Sequence, residues 1–414
     1  MTNLYLNKGK DESLRRFHPW VFSGAVHHIE GNPKEGDLVR ILASDGSFIA
    51  IGHWQIGSIA VRVLTFEDEP IDLDFWVRKL RAAYDVRLSI GVAGNPANST
   101  YRLVHGEGDS LPGLVIDMYD KTAVMQAHSV GMHVCRMELA KALKQVMGER
   151  LENIYYKSET TLPFKAELGQ ENGFILGSTP DDIATENGLR FHIDWLKGQK
   201  TGFFVDQRDN RSLVEQYSKG RKVLNMFCYT GGFSVYAMRG GARLVHSVDS
   251  SQKAVDLVNQ NIELNFPGDK RHAAFAEDAF KFLDSITNYE LRDTKSDETQ
   301  GRNSDFGLRT SYDLVILDPP AFAKHRDAVR HAIKGYTKLN ARAMEKMPPG
   351  SLLFTFSCSQ AISKEQFRMA VFTAATLAHR QVRILHQLHQ PADHPVNIYH
   401  PEGEYLKGLV LYVE

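Results

Sequence analysis

The chain has 414 residues, of which 43% are hydrophobic and 24% charged, and its formal charge is −1. Those values fit an ordinary soluble protein of two or three domains. They exclude binding of nucleic acid by overall charge, so any RNA contact must rest on a local basic face.

No stretch reaches the roughly 18 apolar residues of a membrane span, and the first residues lack an apolar signal core, so a cytosolic location is expected. Cys135, Cys228 and Cys358 are the three cysteines. Their number and separation suggest neither a disulfide framework nor a zinc cluster.

Along the chain, residues 1–68 read as short strands parted by turns. Leu38–Leu42, Ser47–Ile51 and Ile59–Leu64 are β-rich runs broken at Asp45-Gly46 and Ile56-Gly57-Ser58, as in a small all-β barrel. The acidic Glu67-Asp68-Glu69-Pro70 serves as a linker into a helix over Leu73–Leu88, with Trp76, Leu80 and Ala83 on one face. Residues 69–185 continue as a small α+β unit. Its strands are expected at Leu114–Met118, Ala123–Gln126, Asn153–Tyr156 and Phe174–Leu176, and a single helix near Met132–Met147.

From residue 186 to 414 strands alternate with helices. Apolar cores at Val223–Met226, Leu244–Val248, Leu314–Leu317, Leu352–Phe356 and Val382–Leu388 argue for a parallel, doubly wound α/β sheet. A polar stretch over 288–311 reads as a mobile surface insertion.

Three strand ends in this region carry an adenosine-binding pattern. Val223–Met226 runs into Phe227-Cys228-Tyr229-Thr230-Gly231-Gly232, a tight turn whose glycines allow close backbone approach and whose following helix offers unpaired N–H groups. The next strand ends at Asp249-Ser250, where an acid can bond ribose hydroxyls. The third end carries Asp278, placed to accept from an adenine amine. The turn lacks the G-x-G-x-x-G that cradles a pyrophosphate, so S-adenosylmethionine fits better than a dinucleotide.

Two further strand ends carry chemistry. Leu314–Leu317 leads into Asp318-Pro319-Pro320, and Leu352–Phe356 leads into Ser357-Cys358-Ser359. An acid and a thiol on neighbouring strand ends sit where open α/β sheets do their chemistry. A thiol there suits methylation of a pyrimidine C5, which is unreactive until a nucleophile adds at C6. Asp318 can hydrogen-bond the N3/N4 edge of cytosine, and Pro319-Pro320 stiffens the turn beneath the base. Against this stands the reading of Cys358 as a small buried residue.

These motifs, with the stretch Lys197–Arg208, the N-terminal Arg16–Gly24 and the middle Gly106–Asp117, resemble the class I S-adenosylmethionine-dependent RNA methyltransferases of the large-subunit ribosomal RNA cytosine-C5 type. The resemblance covers nearly the whole chain. It implies a PUA-like RNA-binding β-barrel, then a small α+β domain, then a Rossmann-like class I methyltransferase domain, with RNA as partner and a homodimer as the assembly.

By the same resemblance Phe203, Asp206 and Arg208 form a lid and anchor for the methionine moiety. Asn225, Phe227, Tyr229, Thr230 and Gly231 wrap the cofactor, with Asp249, Ser250, Asp278, Asp318 and Pro319 completing its site. Cys358 and Asp318 are the catalytic pair. Ala321 stands where many RNA cytosine-C5 enzymes have a second, product-releasing cysteine, which leaves the base that takes the C5 proton unassigned.

Uridine-C5 enzymes also pair Asp-Pro-Pro with Ser-Cys but usually continue Asn-Pro, where this chain has Ser359-Gln360. Amine-directed enzymes use Asp/Asn-Pro-Pro-Tyr, where it has Ala321-Phe322. A non-catalytic RNA-binding or ribosome-assembly protein that kept the fold is a further alternative.

Pro320, Phe322, Lys324 and Arg326 form a rim suited to the target nucleotide and its phosphates, and Arg16 with Trp20 a patch for RNA on the first domain. A solvated loop and a core tryptophan are the plain alternatives. His386, His389, His394 and His400 match no compact metal spacing. The resemblance puts His394–Val396 and Tyr405–Gly408 in the last hairpin of the methyltransferase sheet.

Overall fold

Successive strands pair with their neighbours to build two compact units in the computed structural model, which describes residues 1–162, 168, 171–178, 182–286, 311–323 and 326–414. The polar segment 288–311 lies, but for its last residue, outside the described residues. The first unit comprises Met1–Gly188, Ile193–Val205 and Pro391–Gly403; the second comprises Leu189–His192, Asp206–Gln390 and Glu404–Glu414.

In the first unit, strands β1 (Thr2–Leu6), β2 (Trp20–Phe22), β3 (Val26–Ile29), β4 (Leu38–Leu42), β5 (Phe48–Trp54) and β6 (Ile59–Thr65), with the short helix α1 (Glu12–Arg15) after β1, form a six-stranded sheet in the order β2-β6-β5-β4-β1-β3. Its alternating apolar residues, among them Leu4, Leu6, Val39, Ile41, Val61 and Val63, make one core. Helix α2 (Leu73–Ser89) then begins at Asp72, whose side chain accepts from Phe75 N–H and so satisfies a first-turn donor. Its buried face, Trp76, Leu80 and Ala83, joins a second core.

That core lies against the sheet of β7 (Thr100–His105), β8 (Leu114–Tyr119), β9 (Thr122–Ala127), β10 (Asn153–Tyr156) and β11 (Gly173–Leu176). The expected single helix is two, α3 (Val130–Val134) and α4 (Arg136–Met147). Gly131 packs so close to the His53 ring that a Cβ would lie 2.2 Å from its Cγ. With α3 pinned there, the chain turns at Cys135 (φ −79°, ψ 0°) before α4 begins. Strand β12 (Ile183–Glu186) ends the first long segment of this unit.

The second unit opens with β13 (Leu189–His192) and α5 (Arg208–Tyr217). Then come β14 (Lys222–Met226), α6 (Gly232–Arg239), β15 (Leu244–Asp249), α7 (Gln252–Asn265), β16 (His272–Ala276), α8 (Ala279–Ser285) and β17 (Leu314–Leu317). It closes with α9 (Val329–Lys346), β18 (Ser351–Ser357), α10 (Lys364–Leu377), β19 (Val382–Leu388) and β20 (Lys407–Val413).

The sheet order is β16-β15-β14-β17-β18-β20-β19. The first five strands are parallel, as the strand–helix alternation predicts. β20 inserts antiparallel between β18 and β19, so the sheet is mixed. The strand order reverses beside β14, which makes the carboxyl ends of β14 and β17 the rim of a ligand crevice.

Tyr405–Gly408 does lead into the last strand, as the resemblance implied. His394–Val396 lies in the connection of the β19–β20 hairpin, within Pro391–Gly403, which packs in the first unit. There the Asp393 carboxylate accepts the Arg102 backbone N–H at 3.0 Å, and the Asp393 carbonyl accepts the Arg87 guanidinium at 2.7 Å. These bonds tie Pro391–Gly403 to buried polar groups of the first unit.

Candidate active site

The turn after β14 holds the backbone in an unusual state. Phe227 (φ 58°), Tyr229 (φ 45°) and Gly231 (φ 77°) are all left-handed. Such conformations cost a non-glycine residue roughly 1–3 kcal/mol each and persist only where the surroundings enforce them. Here the Tyr229 N–H donates to Asp249 Oδ2 at 3.1 Å, Cys228 N–H to the Val248 carbonyl at 3.1 Å, and Asn261 Nδ2 to the Thr230 carbonyl at 2.8 Å. A Cβ on Gly231 would lie 2.9 Å from Val258 Cγ1, so glycine is required there for space as well as for φ.

Beneath the turn, Asn225 Nδ2 donates to Ser234 Oγ at 2.9 Å, and a hydroxyl chain continues to Ser247 and His272. Asn225 Oδ1 is buried and accepts no hydrogen bond from the described residues. An orphaned acceptor beneath a strained turn is the kind of group a ligand donor satisfies. Burial and the nearby Asp249 charge push the Cys228 thiol well up, so it is inert.

Asp249 ends β15, and its Oδ1 accepts the Ser251 N–H at 3.0 Å. Ser250 beside it is exposed. Asp278 is exposed and is the N-cap of α8: its Oδ1 accepts from Phe280 N–H at 3.0 Å and Lys281 N–H at 3.1 Å. Two carboxylates at adjacent strand ends, beside a turn of backbone N–H groups and an unsatisfied amide oxygen, offer acceptors for hydroxyl and amine donors. That donor set fits an adenosine carrying a sulfonium rather than a phosphate chain.

At the start of α5, Asp206 is buried and its Oδ2 accepts from Tyr405 Oη at 2.7 Å; Arg208 is buried as well. Gln207 Nε2 donates to Asp318 Oδ2 at 3.1 Å and is itself held by Asn210 Nδ2 at 2.6 Å. Phe203 belongs to the first unit, buried there, with its carbonyl accepting from Tyr119 Oη at 3.5 Å.

The acid and the thiol follow two adjacent parallel strands. Leu317 of β17 is in register with Thr355 of β18, which puts Asp318 and Cys358 just past neighbouring carboxyl ends. Pro319 is buried and Pro320 exposed. Tyr336 of α9 spans the two ends: Ser357 Oγ donates to its hydroxyl at 2.9 Å, and that hydroxyl lies within the fields of both Cys358 and Asp318. Burial raises the Tyr336 phenol to about 12, so it is neutral.

Phe322 lies against the Tyr336 ring at 4.7 Å between centroids, in room left by Gly335, whose Cβ would meet Phe322 Cδ2 at 2.9 Å. Lys324 falls outside the described residues. Arg326 begins a single 3-10 turn, Arg326–Ala328, and its side chain is likewise outside them.

In the first unit Arg16 is exposed and ion-paired with Glu12. Trp20 is half-buried. Its Nε1 donates to Glu107 at 2.9 Å, Arg62 lies 5.2 Å from its ring centroid and His400 packs edge-on at 4.2 Å. His386 lies beside Tyr217 Oη at 2.8 Å in the second unit, whereas His394 and His400 belong to the first.

Reading the residues assigned no role to Gln207, Asn210, Tyr336, Tyr405 or Lys407. Gln207 lies within the conspicuous Lys197–Arg208 stretch, which was a usable signal. Tyr405 and Lys407 lie in the Tyr405–Gly408 run, which had a place in the fold but no role; Tyr336 carries no signal, because it acts across the fold.

Residues 172–398 match the S-adenosylmethionine-dependent methyltransferase family, and residues 4–66 match the PUA-like domain. A Streptococcus mutans structure described as a SAM-dependent methyltransferase aligns over 99% of this chain and 100% of its own, with a TM-score of 0.80 and 21% identity, and so shares the fold. Proteins named ribosomal RNA large subunit methyltransferase I are similar throughout. The one from Tolumonas auensis is 40% identical, covering 99% of each chain. That from Aeromonas hydrophila subsp. hydrophila is 39% identical over 99% of this chain and 98% of its own. The chain belongs to the S-adenosylmethionine-dependent methyltransferases, and among them to the family of the proteins named ribosomal RNA large subunit methyltransferase I. Its cofactor is S-adenosylmethionine, and its methyltransferase unit is Rossmann-like.

Proposed function

We propose that the chain methylates C5 of a cytosine in large-subunit ribosomal RNA, with Cys358 as nucleophile. The neighbouring positions of Asp318 and Cys358 at the ends of β17 and β18 carry the chemical reading. The names of the full-length relatives support the substrate.

Bound S-adenosylmethionine supplies the methyl group that C5 takes. Cys358 Sγ, as thiolate, bonds to C6 of the base and drives the C5=C6 electron pair toward C5. Asp318 holds the N3/N4 edge and favours the form protonated at N3. Gln207 keeps the Asp318 carboxylate turned toward that edge through its 3.1 Å bond. After methylation a base takes the C5 proton, the C–H pair re-forms C5=C6, and the Sγ–C6 pair returns to sulfur. Ala321 offers no side chain for that proton.

Around the cofactor we assign Asn225, Phe227, Tyr229, Thr230 and Gly231 to the wrapping turn. Asp249 and Ser250 take the ribose, Asp278 the adenine amine, and Asp206 and Arg208 the methionine moiety. Pro319 lines the floor and Phe203 contributes to the lid. Pro320, Phe322, Lys324 and Arg326 serve the target nucleotide, Arg16 and Trp20 the RNA beyond it. The cytoplasm is the proposed location and a homodimer the proposed assembly; no helix among the described residues is long and apolar enough to cross a membrane.

The test is nucleoside mass spectrometry of unmodified large-subunit rRNA and of pre-ribosomal particles, each incubated with the protein and methyl-labelled cofactor. Labelled 5-methylcytidine is expected. Labelled 5-methyluridine, or a methyl on an exocyclic or purine nitrogen, would overturn the cytosine assignment.

A further inference from the structure

Lys407 is a buried cation beside the nucleophile, and among the described residues its Nζ hydrogen-bonds carbonyls and no carboxylate. It opens β20 directly opposite Ser357, the residue before Cys358, in the antiparallel β18–β20 ladder. The side chain is 6% exposed. Its Nζ donates to the Ser359 carbonyl at 2.5 Å and to the Ile362 carbonyl at 2.8 Å, the two ends of the turn that follows Cys358. An ammonium has three N–H donors; two are spent on that turn. The acids nearest in sequence are committed elsewhere, with Glu404 paired to Lys364 at 2.6 Å.

Burying a charge without a counter-charge costs several kcal/mol. Two carbonyl dipoles offset part of that cost. Of the ionisable groups acting on Lys407, the Cys358 thiolate is the one that most favours its charged form. Desolvation lowers the Lys407 ammonium to about 8, which leaves it mostly charged at neutral pH.

Three described titratable groups near the site do not supply this charge. Asp318, at the end of β17, is an acid and disfavours a second anion nearby. Tyr336, from α9, is neutral. Lys364 is engaged by Glu404.

We propose that Lys407 is the positioning residue of the nucleophile: its ammonium clamps the Cys358 turn through the Ser359 and Ile362 carbonyls and stabilises the thiolate of Cys358 over the thiol. Ser359 Oγ, donating to the Ala323 carbonyl at 2.5 Å, ties the same turn to the loop after Asp318. The clamp thereby holds acid and thiol in one frame. This role rests on Cys358 being the nucleophile and adds to that reading the group that activates it.

The experiment is the pH dependence of Cys358 alkylation by iodoacetamide, followed by peptide mass spectrometry on the full-length chain. Wild type, Lys407→Met and Lys407→Arg are compared, with kcat and KM for rRNA methylation measured alongside. In folded wild type the alkylation midpoint is expected below that of the same cysteine in the urea-denatured chain. Lys407→Met should raise the midpoint by about one pH unit and lower kcat at pH 7 about tenfold, with KM for RNA nearly unchanged. Lys407→Arg should keep most of the low midpoint.

A Lys407→Met midpoint equal to wild type would overturn the proposal, even with activity lost. Should Lys407→Met not fold, a wild-type midpoint no lower in the native than in the denatured chain overturns it equally. Full methyl transfer by Cys358→Ala would instead sink the nucleophile reading, without moving the alkylation midpoints.

Discussion

At the scale of single residues, the site as proposed divides into groups that would bond the cofactor and groups that would act on the base. Asp249 belongs to the first kind, yet it also accepts the Tyr229 and Ser251 N–H groups. Replacing it with alanine therefore removes a ribose acceptor and loosens the turn together. Calorimetry should show S-adenosylmethionine affinity reduced at least about tenfold, or ~1.4 kcal/mol. Asp249→Asn keeps an acceptor for the backbone and should lose less. Equal losses for the two variants would mean that the carboxylate charge alone matters. Cys358 is of the second kind: Cys358→Ala should abolish methyl transfer while leaving cofactor affinity within about twofold of wild type.

At the scale of elements, the turn between β14 and α6 concentrates backbone strain at the proposed cofactor site. Gly231→Ala introduces a Cβ 2.9 Å from Val258 Cγ1 at φ 77°. The left-handed backbone alone costs roughly 1–2 kcal/mol, and the steric contact adds to it. Thermal unfolding should show the loss. Val258→Ala should recover the steric part and not the backbone part, a coupling that a double-mutant cycle measures. Additive effects would show that the contact with α7 does not govern the glycine.

This turn was legible in the chain because its signal is local, two adjacent glycines after an apolar run of strand length. The helix expected over Met132–Met147 was only half legible. Its apolar spacing continues through Cys135, but the contact between Gly131 and His53 that turns the chain there joins residues distant in sequence.

At the scale of the molecule, each unit buries a histidine that must stay neutral. Desolvation lowers both His53, in β5, and His246, in β15, from 6.5 to about 4. In the unfolded chain these groups take up protons below about 6.5, which the folded chain refuses until about 4. Stability is therefore whole above 6.5 and is lost as pH falls through that window, by about 2 kcal/mol per histidine at pH 5. Calorimetric scans at pH 7.5 and 5 should show both units less stable in acid. His246→Asn, whose side chain does not titrate, should reduce the pH slope of the second unit without abolishing it, because burial lowers His272 to about 4 as well; an unchanged slope would contradict the assignment.

What the chain determined by itself was whatever depends on neighbours in sequence. Apolar runs of strand length marked β14, β15, β17, β18 and β19, the glycine turn and strand-end acids marked the proposed cofactor site, and Asp-Pro-Pro with Ser-Cys-Ser marked the proposed chemistry. The tertiary structure alone decided that β20 slides antiparallel between β18 and β19, that Pro391–Gly403 packs in the first unit, and that Tyr336 and Lys407 converge on Cys358. Tyr336 lies 22 residues before Cys358 and Lys407 49 after it. The Tyr405–Gly408 run placed Lys407 in the last hairpin but did not show its contact with the Cys358 turn, and Tyr336 had no motif at all, because these contacts are set by the burial of whole strands. A side chain's role at a strand end depends on which strand pairs with it, and pairing is a property of the folded sheet.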